Sequence, residues 1–346
     1  MKKVVKVGNL LIGNGAITVQ SMTNTKTSDV DGTVAQILQL ENAGCDIVRC
    51  SVPDEKSALA IKEIVRRVNI PVVADIHFDY RLAIMSADSG VAKIRINPGN
   101  IGDLSKVKYL ASYLKEREIP IRIGVNGGSL DKKYAGLPLA QAMCESALEH
   151  VRLLESCNFS DIIISAKSSN VSEMIKAYRM LDKACDYPLH IGVTEAGTFR
   201  QGLIKSSIGI GALLCDGIGD TVRVSLTDEP VKEVYAGIDI LKACDKYAKP
   251  HVEIISCPTC ARTEINVKDI ALQVEDMCKN VNKNIKIAVM GCIVNGIGES
   301  QVCDFGVAGG KDKSAIFENG KMLKVVPNKD IFVSLQELIE KFNEKI

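Results

Sequence analysis

Cys257 and Cys260 stand two residues apart in "SCPTCART", and Cys292 stands in "VMGCIVNGIGES". A CxxC pair with a further thiol can hold a metal or a cluster, or two of the thiols can cycle as a disulfide. Structural zinc usually closes its site with a second CxxC pair or with histidines, and neither follows His251. A thioredoxin-like pair would leave Cys292 unused. A [4Fe-4S] cluster accommodates three cysteines, its fourth iron taking another ligand or staying open to substrate. Cys303, Cys278, Glu299 or no residue at all could fill that fourth place, and cysteine arithmetic alone favours Cys303. The CxxxCxxC triplet of enzymes that cleave S-adenosylmethionine does not occur. The glycines of "GCIVNGIGE" match neither the P-loop nor the Rossmann spacing and read as turn residues that let the chain pass close to a cluster.

A second set of reactive side chains recurs at the ends of apolar runs. Arg49, Asp75, His77, Arg95, Asn97, Arg122, Asn126, Lys167, Thr194, Glu195, Arg223 and Ser225 fall at or near the C-terminal ends of "DIVRCSV", "PVVADIH", "AKIRIN", "PIRIGVN", "DIIISAK", "LHIGVTE" and "TVRVSLT". With "ITVQS" at 17–21 these make eight β-branched runs between residues 17 and 227. Amphipathic stretches such as "EKSALAIKEIVRRV" and "VSEMIKAYRMLDKAC" separate them, with apolar residues near i, i+3, i+4 spacing. Eight strands each followed by a helix is the count of a TIM barrel, whose strand ends converge on one mouth. Five cations from five strands at one mouth repel one another unless an anion offsets them, so the pattern predicts an anionic ligand.

The barrel is expected over 1–248. A polar, proline-containing link at "CDKYAKPHV" places the boundary near residue 249, and 249–346 is expected to be a small α/β domain. It should hold a strand "VEIIS", the CxxC, a helix "INVKDIALQVEDMCKNV", a strand "IKIAVMGC", a hairpin "AIFENGKMLKVV" turning at Asn319-Gly320, and a closing helix "SLQELIEKF". The lysines of the N-terminus resemble those of a signal peptide, but glycines and asparagines break the apolar run, and "VKV-GN-LLI" reads as a hairpin.

The 346 residues carry 43 Lys+Arg against 42 Asp+Glu, a net charge of +1. That balance argues against a sequence-independent nucleic-acid binder. No stretch approaches the roughly 18 apolar residues of a membrane span. A cytoplasmic location is expected, where twelve cysteines are free thiols or ligands rather than disulfides. Cys45, Cys144, Cys185 and Cys244 lie in helix-like stretches and read as packing.

The motifs "VQSMTNT", "VRCSVP", "ADIHFDYR", "KIRINPGN", "RIGVNGGSL", "ISAKSSN", "GVTEAG", "CPTCAR" and "GCIVNGIGE" occur in this order. With them the chain resembles the bacterial 4-hydroxy-3-methylbut-2-enyl diphosphate synthases of the non-mevalonate isoprenoid pathway over about residues 4–340. The resemblance implies an iron-sulfur oxidoreductase. Its barrel would bind 2-C-methyl-D-erythritol 2,4-cyclodiphosphate, and its C-terminal domain would carry a [4Fe-4S] cluster. Two electrons from reduced flavodoxin or ferredoxin would open the ring with loss of water. The family's diphosphate-binding positions fall on Arg49, His77, Arg95, Arg122, Asn126, Lys167, Arg223 and Ser225, beside Thr194. Glu195 becomes the candidate acid for the departing oxygen, and Asp75 an orienting group. The three cysteine ligands fall on Cys257, Cys260 and Cys292, and the fourth ligand on Glu299, an exchangeable carboxylate. Cys303 then reads as packing. The family also implies a head-to-tail homodimer. The competing expectation is a non-redox barrel that transfers groups to a pterin-like heterocycle, with a zinc-stabilised C-terminal module.

Overall fold

The computed structural model describes residues 2–97, 100–101, 103–279, 281–294, 298 and 300–344. Contacts divide the chain into two units, Met1–Ala248 and Lys249–Ile346.

The first unit opens with the antiparallel hairpin β1 (Val5–Val7) and β2 (Leu10–Ile12), turning at Gly8-Asn9. Eight parallel strands follow among the described residues. They are β3 (Thr18–Met22), β4 (Ile47–Ser51), β5 (Val72–Asp75), β6 (Lys93–Ile96), β7 (Ile121–Asn126), β8 (Ile162–Lys167), β9 (His190–Ile191) and β10 (Thr221–Val222). Their order is β8-β7-β6-β5-β4-β3-β10-β9. A parallel bridge between Ile164 and Leu189, with the Ile164 amide donating to the Pro188 carbonyl at 2.9 Å, joins the two ends into a barrel. The hairpin closes its lower end: Val5, Val7 and Ile12 pack on Ile47, Val73 and Ile163, beneath the strands.

The strands are buried on both faces, one lining the barrel interior and one under helices: alternate residues such as Val48, Ile94, Ile123 and Ile164 join the main apolar core, while Gln20, Arg49, Lys93, Arg95, Arg122, Lys167 and His190 take the positions between them. Those helices are α1 (Val30–Asn42), α2 (Glu55–Arg67), α3 (Tyr80–Asp88), α4 (Leu104–Glu116), α5 (Leu139–Ser156), α6 (Val171–Ala184), α7 (Phe199–Cys215) and α8 (Pro230–Ala243). Asp29, Asp54, Asp79, Asp103 and Asn170 cap five of them, each side chain accepting from an amide of the first turn. Such a cap contributes about 1 kcal/mol and fixes where the helix begins after its βα loop.

Two strands are shorter than their apolar runs suggest. β9 and β10 pair over two residues each, so Thr194, Glu195, Arg223 and Ser225 stand on the loops beyond them. Past their ends the two backbones stay close: the Arg223 amide donates to the Ile191 carbonyl at 3.0 Å, and a Cβ on Gly192 would lie 2.2 Å from the Arg223 carbonyl oxygen.

The second unit is a five-stranded sheet among the described residues, in sequence order: β11 (Val252–Ser256), β12 (Ile285–Met290), β13 (Phe305–Ala308), β14 (Lys313–Glu318) and β15 (Lys321–Pro327). The first three are parallel and the last two antiparallel. Helix α9 (Val267–Met277) and a closing helix, Ile331–Glu344, pack on one face. The hairpin turns at Asn319-Gly320 with both φ positive, 49° and 73°, as a two-residue loop requires. The sequence pattern does not announce β13, because "FGVA" is four residues squeezed between Asp304 and a pair of glycines.

Candidate active site

Ladder register brings the first charged residues together. Asp75 on β5 is the partner of Arg95 on β6, and Arg95 is the partner of Arg122 on β7. Arg95 Nη1 stands 3.0 Å from Asp75 Oδ1, and Arg49 Nε stands 3.5 Å from Asp75 Oδ2. His77, half out in solvent, reaches Asp75 Oδ2 at 3.8 Å. Burial pushes the Asp75 carboxyl up, but Arg49, Arg95, Arg122 and His77 outweigh it and hold it at about 2. Arg49 also donates to Met22 Sδ at 3.2 and 2.9 Å, and burial draws its own pKa down to about 10.

Arg122 is 1% exposed. It donates to Ser165 Oγ at 3.1 Å, while its Nε and Nη2 have no partner. Lys167 Nζ, Arg223 Nε and Ser225 Oγ are likewise buried and unpartnered. Burial lowers the Lys167 ammonium well below its ordinary pKa, and Arg223, Arg122 and Arg49 crowd it further. Each buried donor without an acceptor costs about 1–3 kcal/mol. Five cations with only Asp75 and Glu233 against them among the described residues form an incomplete site, and an anion at the mouth would complete it.

The remaining predicted residues sit around this group. Asn126, half-buried, is the ladder partner of Lys167. The Thr194 amide donates to the Ser168 carbonyl at 3.3 Å, tying the loop after β9 to the end of β8. Glu195 is exposed, with φ of 51°, a left-handed conformation uncommon outside glycine and often found at functional sites.

Four residues at this site escaped sequence reasoning. Glu233 of α8 is buried, accepts from the Leu226 amide at 3.0 Å and Ser21 Oγ at 3.2 Å, and stands 3.5 Å from Arg223 Nη2. It lies three residues after Pro230 and four before Gly237, both on the helix's inner face, and that spacing was its signal. Lys93 lies two residues before Arg95 on the same strand face and is wholly buried, its Nζ 3.4 Å from Gln20 Oε1. His190 is buried with both ring nitrogens unpartnered. Period-two alternation marks Lys93, whereas nothing local marks Gln20 or His190.

Gly124 makes room for the cluster. A Cβ there would lie 2.3 Å from Arg95 Nε. Gly124→Ala is therefore expected to keep the fold, push Arg95 away from Asp75 and lower kcat/KM by about 100-fold, since a displacement of roughly 1 Å has that effect. Steady-state kinetics beside a thermal melt checks it.

In the second unit, Cys257 follows β11 and Cys292 follows β12, its parallel neighbour. The Gly291 amide donates to Cys257 Sγ at 3.1 Å, and the Arg262 amide to Cys260 Sγ at 3.5 Å. Amides aimed at sulfur suit thiolates bound to a cluster. Among the described residues no three histidine, cysteine or carboxylate side chains converge on a single metal ion. A cubane, with one ligand at each of four separate corners, takes a wider set. Glu299 lies outside the described residues. Cys303 is buried with Ala288, Met290, Ala308, Ala315 and Phe317, and Cys278 sits at the end of α9 with its thiol pushed up to about 11 by burial. Ile255 and Cys257 pack against the same apolar cluster as Cys303. No helix among the described residues is long and apolar enough to cross a membrane.

Comparison with known proteins follows this division of the chain. Residues 2–238 match the GcpE TIM-barrel domain and residues 253–341 the GcpE protein C-terminal domain. The 4-hydroxy-3-methylbut-2-en-1-yl diphosphate synthase (flavodoxin) of Clostridium perfringens is 55% identical over 341 residues, 97% of each chain. The protein of that name from Caldanaerobacter subterraneus subsp. tengcongensis is 54% identical over 346 residues, 99% of this chain and 97% of its own. Dihydropteroate synthase of Thermus thermophilus superposes with a TM-score of 0.55 over 70% of this chain and 98% of its own. At 11% identity that likeness is one of fold alone.

Proposed function

The chain belongs to the GcpE family, and from that premise we propose that its two units divide one reaction, the barrel holding a cyclic diphosphate while the second unit passes electrons through a [4Fe-4S] cluster. The activity is conversion of 2-C-methyl-D-erythritol 2,4-cyclodiphosphate to 4-hydroxy-3-methylbut-2-en-1-yl diphosphate. This identity replaces the pterin-type transferase as a reading of the barrel. Substrate, two electrons and one proton give product and water: one carbon–oxygen bond to the ring diphosphate breaks, and one hydroxyl departs. Reduced flavodoxin is the proposed donor, after the relatives' name, with ferredoxin as an alternative.

The observation that carries the barrel's part is the group of buried, unpartnered donors on Arg122, Lys167, Arg223 and Ser225. With Arg49, Arg95, His77 and Asn126 they would grip the diphosphate, arginine forks taking its oxygens in pairs. Ring opening raises the charge on the diphosphate from about −2 towards −3. The same cations therefore hold the transition state more tightly than the substrate, which is what accelerates a reaction. Asp75 keeps Arg49 and Arg95 pointed at the mouth. The Glu195 carboxyl would give its proton to the departing hydroxyl, with Thr194 beside it.

Cys257, Cys260 and Cys292 would hold three corners of the cluster and Glu299 the fourth. When bound, the cluster supplies single electrons and a Lewis-acidic iron. A head-to-tail homodimer in the cytoplasm is the proposed working form, and sedimentation of the holoenzyme gives its mass.

Anaerobically purified protein is expected to contain iron and sulfide in cubane stoichiometry. A colourless protein with stoichiometric zinc would sink the reading. Glu299→Ala should keep most of its iron yet lose turnover by about 100-fold or more, whereas Cys303→Ser should match the wild type. The reverse pattern would move the fourth ligand to Cys303.

A further inference from the structure

We infer that Thr263 and Gly291 form a brace between the two cysteine-bearing loops, aiming an N–H···S bond at Cys257 and thereby tuning the reduction potential of the centre. The inference rests on the cluster reading above.

The two loops are joined at several points. The Cys260 amide donates to Thr263 Oγ1 at 2.9 Å, and the Thr263 amide returns a bond to the Cys260 carbonyl at 3.0 Å. One residue on, the Glu264 amide donates to the Gly291 carbonyl at 2.9 Å. The Gly291 amide in turn donates to Cys257 Sγ at 3.1 Å, and the Cys257 amide to the Val289 carbonyl at 3.3 Å. The chain of bonds thus runs from Cys260 through Thr263 and Gly291 to Cys257, and Gly291 immediately precedes Cys292.

Packing makes the brace specific to these residue types. A Cβ on Gly291 would lie 2.8 Å from Thr263 Cγ2, 3.0 Å from Val267 Cγ2 and 3.1 Å from Thr263 Oγ1. A Cβ on Gly309, from the neighbouring strand end, would lie 2.6 Å from the Gly291 carbonyl oxygen. Gly291 is therefore wedged from both sides, and its amide has little freedom to point anywhere but at sulfur. The loop it braces is under tension, because Thr259, a β-branched residue between the two cysteines, has φ of 54°. The Thr263 hydroxyl, by accepting from the Cys260 amide, holds the chain in that turn.

Hydrogen bonds to ligand sulfurs stabilise the more negative, reduced state of a cluster and so raise its potential. Thr263 and Gly291 are positioning residues, since neither touches substrate. The test uses the full chain, reconstituted anaerobically, as wild type, Thr263→Val, Thr263→Ser and Gly291→Ala. Thr263→Val keeps the shape and loses the acceptor, Thr263→Ser keeps the acceptor, and Gly291→Ala displaces Thr263 without altering it. The expected result is a more negative midpoint potential and several-fold faster iron loss to a chelator in Thr263→Val and Gly291→Ala, with the potential of Thr263→Ser close to wild type. Unchanged potentials in both variants with the cluster retained would overturn the inference. So would loss of the apoprotein fold in Thr263→Val by circular dichroism, which would make the role merely structural. A wild type that binds zinc and no iron would instead bring down the cluster reading beneath it.

Discussion

Arg122→Met is expected to yield a protein that melts several degrees higher than the wild type and turns over roughly 1,000-fold more slowly. The stability gain follows from what Arg122 lacks. It is buried, its Nε and Nη2 have no acceptor, and Arg49 and Arg95 repel it while Asp75 and, less strongly, Tyr178 oppose them. Replacing a buried, poorly paired ion by an apolar side chain of similar length commonly stabilises by about 1–4 kcal/mol. Nothing is orphaned by the change, because Ser165 Oγ still donates to the Ile123 carbonyl at 3.1 Å. The loss in rate follows from removing donors that meet charge as it develops. A thermal melt and single-turnover kinetics on the same sample check both halves. A variant that melts lower, or that retains turnover within tenfold, contradicts the account.

Substrate binding is expected to draw protons into the barrel. Burial holds Lys167 well below its ordinary pKa, with Arg223, Arg122 and Arg49 adding to the effect and Glu233 opposing it. Burial likewise lowers Lys93, helped by Arg122 and Arg49. His190 is lowered by burial and by Arg122, Lys167, Lys93 and Arg49. A dianion at the mouth cancels the repulsive part and raises all three. The sign is then fixed: each group is more protonated in the complex than in the free protein, so protons are taken up. Affinity falls as pH rises through the window between the free and bound pKa values, by up to about tenfold per pH unit for each proton. Calorimetric titrations with substrate in buffers of different ionisation enthalpy measure the uptake, and identical heats in all buffers would refute it. The unliganded barrel shows the companion effect. These bases carry fewer protons folded than unfolded, so their contribution to stability grows as pH rises from the folded pKa towards the ordinary one.

Much of the barrel was legible because β-branched residues recur at every second position of the strands, and that period-two alternation marks which polar residues share the opposite face. Arg95, Arg122 and Lys167 are of this kind. What stayed hidden depends on packing between distant segments. The backbones of Gly192 and Arg223 come together just past β9 and β10, which neither run announces. Glu233 belongs to a helix, and its approach to Arg223 and Ser21 depends on how α8 seats between strands. The spacing of the cysteines suggests a shared centre, but the Thr263–Gly291 contact was not legible, because it joins loops nearly thirty residues apart. The choice between Cys303 and Glu299 turned on resemblance rather than spacing.

The hairpin that packs Val5, Val7 and Ile12 beneath the strands shapes the field of the barrel as well as its floor. With one end filled by hydrocarbon, field lines from Arg49, Arg95, Arg122, Lys167 and Arg223 cannot leak through the low-dielectric plug and emerge instead from the open end. The barrel thus acts as a one-ended electrostatic funnel on a protein whose net charge is only +1. Dilute small anions are steered to a single entrance, while the nearly neutral exterior gives polyanions such as nucleic acids no comparable hold.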